Sequence, residues 1–265
     1  MVTGYTAFFD VSRGRDPIYT MAGYIGRVEK WETFRTKWKP LLDSEGLKIF
    51  NAANLESQVG EYYGWSNRRK ISFQQRAFKI ITDAREIAIG HSISIKDFEA
   101  LKFRWIKEPH AETKSHYYHC GVSLLRNVRW WIERNHIDEP IEYIFEHGDE
   151  GRGDILKLLD EINADPAQQE LYRMHGYSKK FKKDVIQLQA AGTWAYESYK
   201  HWANPLPDRE KIRTRDSFKP LFRQGIDNVF NTFDDRAAFD AMIKQYVSLG
   251  GLAIKGGNIL RPDNE

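Results

Sequence analysis

The stretch that decides the fold is Tyr5-Thr-Ala-Phe-Phe-Asp10-Val-Ser12, a short apolar run that ends in an acidic residue. Turn-like residues follow it, from Arg13 to Pro17. Such a run predicts a buried strand, and the next apolar segment, Tyr19 to Gly26, is its expected hairpin partner. Ligands of open α/β sheets bind at strand ends, so Asp10 becomes the first candidate site residue.

The rest of the chain alternates between strand and helix patterns. Further strands are predicted at Leu47 to Phe50, Ile87 to Ile95 and Ile141 to Phe145. Apolar residues at helical spacing predict helices over residues 28–42, 73–84, 117–131, 155–162, 188–202 and 239–247. The sequence therefore predicts an α/β protein with a mixed sheet flanked by helices. We expect residues 1–203 to form one domain, and residues 204–265 to form a loop and a helical C-terminal extension packed on it.

The composition is that of a globular protein. Of 265 residues, 41% are hydrophobic and 29% are charged, and no apolar run approaches the roughly 20 residues of a membrane span. The first residues lack the basic start and apolar stretch of a signal peptide. The single cysteine, Cys120, excludes an internal disulfide and a multi-cysteine zinc site. We therefore expect a cytoplasmic protein with no membrane partner, whose net charge of +3 allows a polyanionic partner without requiring one.

Two carboxylates are the candidate catalytic residues because each directly follows an apolar strand. Asp10 ends the first strand, and Glu146 ends the strand Ile141 to Phe145. Hard cations such as Mg²⁺ take oxygen ligands, often from only one or two protein carboxylates. We therefore expect Asp10 and Glu146 to hold one or two Mg²⁺ or Mn²⁺ ions, with Asp149 as a further metal ligand. The alternative is that each acid only caps a loop.

A cluster of four lysines provides the candidate nucleic-acid-binding residues. Two aromatic residues, Tyr177 and Phe181, interleave with the cluster, and aromatic rings can stack on bases. Lysines can also neutralise backbone phosphates. The alternative is an ordinary solvated surface. The four residues are Lys179, Lys180, Lys182 and Lys183.

Two histidines, His116 and His119, have a spacing that places both rings near one face of a helix. A zinc site needs a third protein ligand, and the sequence does not mark one. Cys120, the next residue, lies on the apolar face of the predicted helix. We therefore expect no zinc site here.

Four stretches, taken together, resemble a widespread bacterial and phage family of RNase H-like proteins, catalogued as domain of unknown function thirty-eight hundred. The family's first strand ends Asp-Glu-Ser-Gly, and a late helix reads Leu-Gln-Ala-Ala-Asp, often followed by Ala-Tyr-Glu. The resemblance covers roughly residues 5–202. Its stretches are, in order, Asp10-Val-Ser12, Trp31-Glu-Thr-Phe34, Phe145-Glu-His-Gly-Asp149 and Leu188-Gln-Ala-Ala-Gly-Thr-Trp-Ala-Tyr-Glu197.

The resemblance implies that residues 1–203 form an RNase H-like domain, with a metal-dependent nuclease site that has acids from the first strand, the late strand and the late helix. Two departures from the family pattern affect this site. The family's helix Asp falls on Gly192, and its His-x-x-Asp reads Asn51-Ala-Ala-Asn54. Gly192 is thus a vacated acid position. We expect a Gly192→Asp substitution to strengthen divalent-metal binding and to be accommodated by the helix, since Asp has a better helix propensity than Gly.

Three hypotheses for function follow. The first is a metal-dependent phosphodiesterase of RNase H-like type that acts on nucleic acid, active or inactivated at Gly192, in a defence or mobile-element system. The second is a non-catalytic subunit that docks nucleic acid or a protein partner. The third is a small-molecule hydrolase that uses the same acids.

Overall fold

The computed structural model describes residues 4–14, 17–105, 115–147, 152–203, 221, 229–239, 241, 253–255 and 258–260. Within these residues the chain forms an α/β structure, as the sequence predicts, in which helices flank a mixed sheet on both faces. None of the described helices has both the length and the hydropathy that a membrane span requires.

The central sheet has six strands among the described residues. Its first three strands form an antiparallel meander, and the other three pair in parallel with their neighbours. The strands are β1 (Tyr5–Arg13), β2 (Ile18–Arg27), β3 (Ile87–Ser94), β4 (Ile141–Glu146), β5 (Met174–Lys180) and β6 (Val229–Asp234). Their order is β5-β4-β1-β2-β3-β6. All strands except β2 therefore run in one direction, and their carboxyl ends lie at the same edge of the sheet.

The helices cover both faces of this sheet. They are α1 (Val28–Glu45), α2 (Ala52–Ser57), α3 (Asn67–Ala84), α4 (Ile95–Trp105), α5 (His116–Arg134), α6 (Arg152–Ala164), α7 (Pro166–Leu171) and α8 (Gln187–Ala203). Buried residues of α1, α3 and α8 form a core on one face, and those of α5 and α6 form a core on the other. Two short strands, β7 (Ala253–Lys255) and β8 (Asn258–Leu260), pair separately from the main sheet.

Strand β1 has alternate side chains in these two cores. Ala7 and Phe9 pack in the core formed with α5, whereas Phe8 packs in the core formed with α8. Successive side chains of a strand point to opposite faces, so Asp10 lies on the same face as Phe8. The first candidate acid therefore faces helix α8.

Part of the predicted pattern is wrong. Residues Leu47 to Phe50 form no strand, and the third strand is β3. Leu47 and Phe50 are buried, but the Phe50 N–H donates to the Gln189 side chain, 2.9 Å away, instead of to a neighbouring strand. A short apolar segment in a buried connection has the same composition as a strand, which explains the error.

The C-terminal region also differs from the predicted helical extension. Residues 229–234 form the edge strand β6, and β5 at the opposite edge was likewise not predicted. The helix predicted at 239–247 falls mostly outside the described residues. Most of the loop predicted after residue 203 falls outside them too.

Gln189 joins four parts of the chain within the core that includes α8. Its Oε1 accepts hydrogen bonds from Trp38 Nε1 at 3.0 Å and from the Phe50 N–H at 2.9 Å. Its Nε2 donates to the Lys182 backbone oxygen at 3.2 Å, and the residue is 2% exposed. The glutamine of the Leu-Gln-Ala-Ala stretch is therefore a structural connection between α8, α1 and two loops.

We expect Gln189→Met to lower the free energy of unfolding by about 2–4 kcal/mol, because two buried N–H donors lose their acceptor. Urea denaturation measures the change. The control is Gln75→Ala on the exposed face of α3, for which we expect a change within about 0.5 kcal/mol. Equal stability of the two variants would contradict this role of Gln189.

Candidate functional site

The two predicted catalytic acids lie on adjacent strands. The parallel pairing of β1 with β4 ends at Phe9 and Phe145, and Asp10 and Glu146 are the next residues on each strand. Alternation places both on the face that α8 covers. Glu146 is partly exposed and pairs in register with Lys180 of β5 on its other side.

Asp10 is buried in an ion pair with one of the candidate lysines. It is 4% exposed, and its Oδ1 accepts a hydrogen bond from the Val11 N–H at 2.8 Å. Its Oδ2 accepts from Lys182 Nζ, also at 2.8 Å. Lys182 lies in the loop between β5 and α8, whose backbone the Gln189 side chain holds. The Asp10 carboxylate is therefore neutralised by a cation of the protein itself.

Gly192 faces this ion pair, as the resemblance implies. A Cβ atom built on Gly192 would lie 2.5 Å from Asp10 Oδ2 and 3.6 Å from Lys182 Nζ. A Cβ at this position would require the Asp10 carboxylate to shift, a movement that the expected accommodation of an Asp by the helix did not include. The glycine allows α8 to approach β1 closely.

A cavity of about 90 Å³ opens beside the ion pair. The end of β1, the start of α2 and one side of α8 contribute to its wall. Each of these segments contains residues that were compared with the family pattern above. The Asn51 side chain accepts from the Asn54 N–H and so caps α2. The lining residues are Asp10, Val11, Ser12, Phe50, Asn51, Ala52, Ala53, Lys182, Gln189, Gly192 and Tyr196.

These residues do not fit the Mg²⁺ or Mn²⁺ that the sequence predicts. Mg²⁺ requires oxygen ligands in near-octahedral geometry. Asp10 Oδ2 contacts an ammonium group, and the family's third acid is Gly192, which has no side-chain oxygen. Asp149, the further predicted ligand, lies outside the described residues. A metal ion at Asp10 would have to displace Lys182.

The lysine cluster divides between two environments. Lys182 is the partner of Asp10, and its role as a nucleic-acid contact stays a prediction. Lys180 and Lys183 are exposed, and Lys179 is partly buried. Phe181 is 44% exposed, with Lys183 Nζ 5.3 Å from its ring centroid and the His147 ring at 4.4 Å. We call Lys179, Lys180, Phe181 and Lys183 the basic strip.

A second group of polar residues lies on the opposite face of the sheet and was missed in the sequence. His91 of β3, His119 of α5 and Asp234 of β6 have potential ligand atoms that all lie within 4.8 Å of one another. The Gly90 backbone, one residue before His91, faces Trp194 of α8, so His91 faces α5. The pairing of β3 with β6 brings Asp234 close to His91 and His119.

The electrostatics of this group favour a neutral His91 beside an ionised Asp234. Burial lowers the pKa of His91 below its usual range. Burial alone would raise the pKa of Asp234, but the adjacent His119 and His91 rings outweigh it and lower the pKa. The Cys120 thiol, which burial keeps protonated by raising its pKa, donates to the His91 backbone oxygen at 3.3 Å.

Comparison with known proteins adds no family assignment. No protein-family model matches the chain, and no curated protein matches its sequence. The resemblance to RNase H-like proteins therefore rests on the sequence stretches quoted above.

We expect Lys182→Met to lower the free energy of unfolding by about 2 kcal/mol, because it leaves the Asp10 carboxylate buried without its cation. The loss is smaller than for a fully buried pair because the Lys182 side chain is 29% exposed. Adding Asp10→Asn to this variant should recover about 1 kcal/mol, since it removes the uncompensated charge. Lys183→Met, at an exposed neighbour, is the control, and thermal or urea unfolding is the measurement. A Lys182→Met variant as stable as this control would contradict the pairing.

Proposed function

We propose that this protein is an RNase H-like domain that docks nucleic acid through the basic strip and does not hydrolyse it by divalent-metal chemistry. The observation that carries the proposal is the Lys182 ammonium 2.8 Å from Asp10 Oδ2, beneath a glycine where the family has an acid. This combines the RNase H-like fold of the first hypothesis with the non-catalytic role of the second.

The sheet supports the RNase H-like part of the proposal. An antiparallel meander, β1 to β3, continues through the parallel strands β4 and β5 on the far side of β1. The candidate acid lies on the central strand β1, and the late helix α8 packs over it. This arrangement agrees with the positions that the resemblance implies for the first strand, the late strand and the late helix.

The site itself supports a role without metal-dependent hydrolysis. Two-metal hydrolysis needs ions that stabilise both the attacking and the leaving oxygen, and carboxylates that hold those ions. Here one acid is bound by an ammonium group and another is replaced by glycine. An ion pair satisfies the buried Asp10 electrostatically, and this gives the residue a structural role in the domain.

The basic strip supports nucleic acid as the partner. Lys180, the last residue of β5, and Lys183, in the loop that follows, are exposed and flank the exposed Phe181 in sequence. Cationic side chains contact phosphates, and an exposed aromatic ring can stack on a base without regard to sequence. The strip therefore fits a flexible single strand better than a rigid duplex.

Replacing Lys180 and Lys183 together by Ala should weaken binding of single-stranded DNA and RNA oligonucleotides of about 20 residues roughly ten-fold. The slope of affinity against salt concentration should also fall by about 1 to 2, because fewer counterions are released. Fluorescence anisotropy at several salt concentrations, with EDTA present, measures both quantities.

The control for this experiment is Lys37→Ala with Lys79→Ala, which removes two exposed lysines from α1 and α3 and changes the net charge equally. If both double variants weaken binding to the same extent, the effect is one of net charge and the basic strip is not the docking surface.

We expect the unmodified protein to cleave neither DNA nor RNA in Mg²⁺ or Mn²⁺. Gly192→Asp combined with Lys182→Ala should gain divalent-metal binding in calorimetry, because it adds a carboxylate and removes the competing ammonium group. Gly192→Ala with Lys182→Ala controls for the steric effect of a Cβ beside Asp10. Metal-dependent cleavage by the unmodified protein that is lost in Asp10→Asn would overturn the proposal in favour of a nuclease.

A further inference from the structure

The geometry of His91, His119 and Asp234 is that of a metal-binding group. Asp234 Oδ2 lies 3.3 Å from His91 Nε2 and 3.0 Å from His119 Nε2. Two ligands of a tetrahedral zinc ion, each about 2.0–2.1 Å from the metal, lie about 3.3 Å from each other. The three side chains come from β3, α5 and β6, which hold them in place.

His91 is oriented by neighbours that fix its other ring nitrogen. Its Nδ1 lies 2.7 Å from Thr232 Oγ1, which also accepts a hydrogen bond from Asn127 Nδ2 at 2.8 Å. With the proton on Nδ1 donated to Thr232, the Nε2 lone pair points toward Asp234. A metal-ligating histidine commonly donates its second N–H to a hydrogen-bond acceptor in this way.

The state of His91 Nε2 is a second indication that the group binds a ligand. His91 is 2% exposed, yet its buried Nε2 has no hydrogen bond of acceptable geometry with any described residue. A buried nitrogen left without a hydrogen bond costs free energy, and this one lies 3.3 Å from a carboxylate oxygen, Asp234 Oδ2. A cation between the two atoms would satisfy both the lone pair and the charge.

The group is also accessible from solvent on one side. The His119 side chain is 21% exposed and that of Asp234 is 16% exposed. The Phe98 and Phe239 rings flank His119, each with its centroid 5.7 Å away. An ion can thus enter beside His119, and a water molecule can complete its coordination there.

We propose that His91, His119 and Asp234 bind a divalent transition-metal ion, with zinc as the metal that the ligand set fits. Two imidazole nitrogens and one carboxylate suit Zn²⁺ and related metals, whereas Mg²⁺ prefers a shell of oxygen ligands. The ion would connect α5 and the edge strand β6 to β3. This site is separate from the nucleic-acid docking proposed above, because β3 and β6 lie at the opposite end of the strand order from β5, which carries the basic strip.

Zinc titration of the full chain tests the site. The protein is stripped with EDTA, dialysed and titrated with Zn²⁺ by calorimetry, and we expect a single ion to bind per chain. Co²⁺ should give the visible absorption of a tetrahedral site, and Zn²⁺ should remove that absorption. An excess of Mg²⁺ should leave the Co²⁺ spectrum unchanged.

Three variants assign the ligands. His119→Ala and Asp234→Asn should weaken zinc binding about 100-fold, because each removes a ligand of a three-residue site. His116→Ala is the matched control, since His116 lies one turn earlier on α5 and packs against Tyr19 outside the group. We expect its affinity to stay within about two-fold of the unmodified protein.

Circular dichroism and thermal unfolding of every metal-free variant establish that it is folded. The His119→Ala variant is the main test of the site. Because the His119 side chain is partly exposed, we expect its removal to disturb folding less than removal of the buried His91. Failure of the folded, unmodified protein to bind zinc, or an equal loss of binding in His116→Ala and His119→Ala, would overturn the proposal. The three residues would then be a hydrogen-bonded group that attaches β6 to the sheet.

Discussion

The buried charge of Asp10 is the constraint on which much of the neighbouring structure depends. A carboxylate in the middle of a sheet has lost most of its hydration, so it requires a cation or several hydrogen-bond donors within the protein. Lys182 supplies the cation from the loop between β5 and α8, and the Val11 N–H supplies one donor. That loop is held by Gln189, whose side chain also receives donors from α1 and from the segment after it. The position of α8 and the neutralisation of Asp10 are therefore coupled.

The direction of the strands explains why the Asp10–Lys182 pair and the group of His91, His119 and Asp234 both lie toward the carboxyl ends of the strands. Five of the six strands point the same way, so residues near their carboxyl ends are neighbours in space. Asp10 faces α8, and His91 faces α5 on the opposite side. The carboxyl ends of the strands thus carry two chemically different groups on opposite faces of the sheet. The first is a carboxylate paired with a lysine, and the second is a carboxylate between two histidines.

The sequence predicted those strands and helices whose hydrophobic pattern is contained within the element itself. The apolar alternation and the helical periods predicted β1, β2, β3, β4 and most of the long helices, since each of these elements buries its own apolar face. The edge strands β5 and β6 were not predicted because they are mostly only partly buried, and β5 is also largely polar. Asp234 belongs to β6, so nothing in the sequence indicated that a carboxylate lies beside His119.

The candidate site could be predicted only in part for a similar reason. The family resemblance placed Gly192 opposite Asp10, and the structure has that arrangement. The ion pair between Lys182 and Asp10 joins residues that are 172 positions apart. No local pattern distinguishes this lysine from Lys180 or Lys183, which are exposed. The partner of Asp10 therefore depends on a contact between distant parts of the chain. Composition and local spacing could not predict that contact.

The edge strand β6 has a consequence for how this chain folds during synthesis. Strand β3 is buried along its whole length in the finished protein, and among the described residues its outer edge pairs with 229–234. A ribosome adds about 5–20 residues per second, so the edge of β3 waits several seconds for its partner while the rest of the sheet can already assemble. An apolar strand with free backbone groups is a template for pairing with other chains during this interval. The late arrival of β6 therefore leaves this edge of the sheet open to misassembly while the chain is being synthesised.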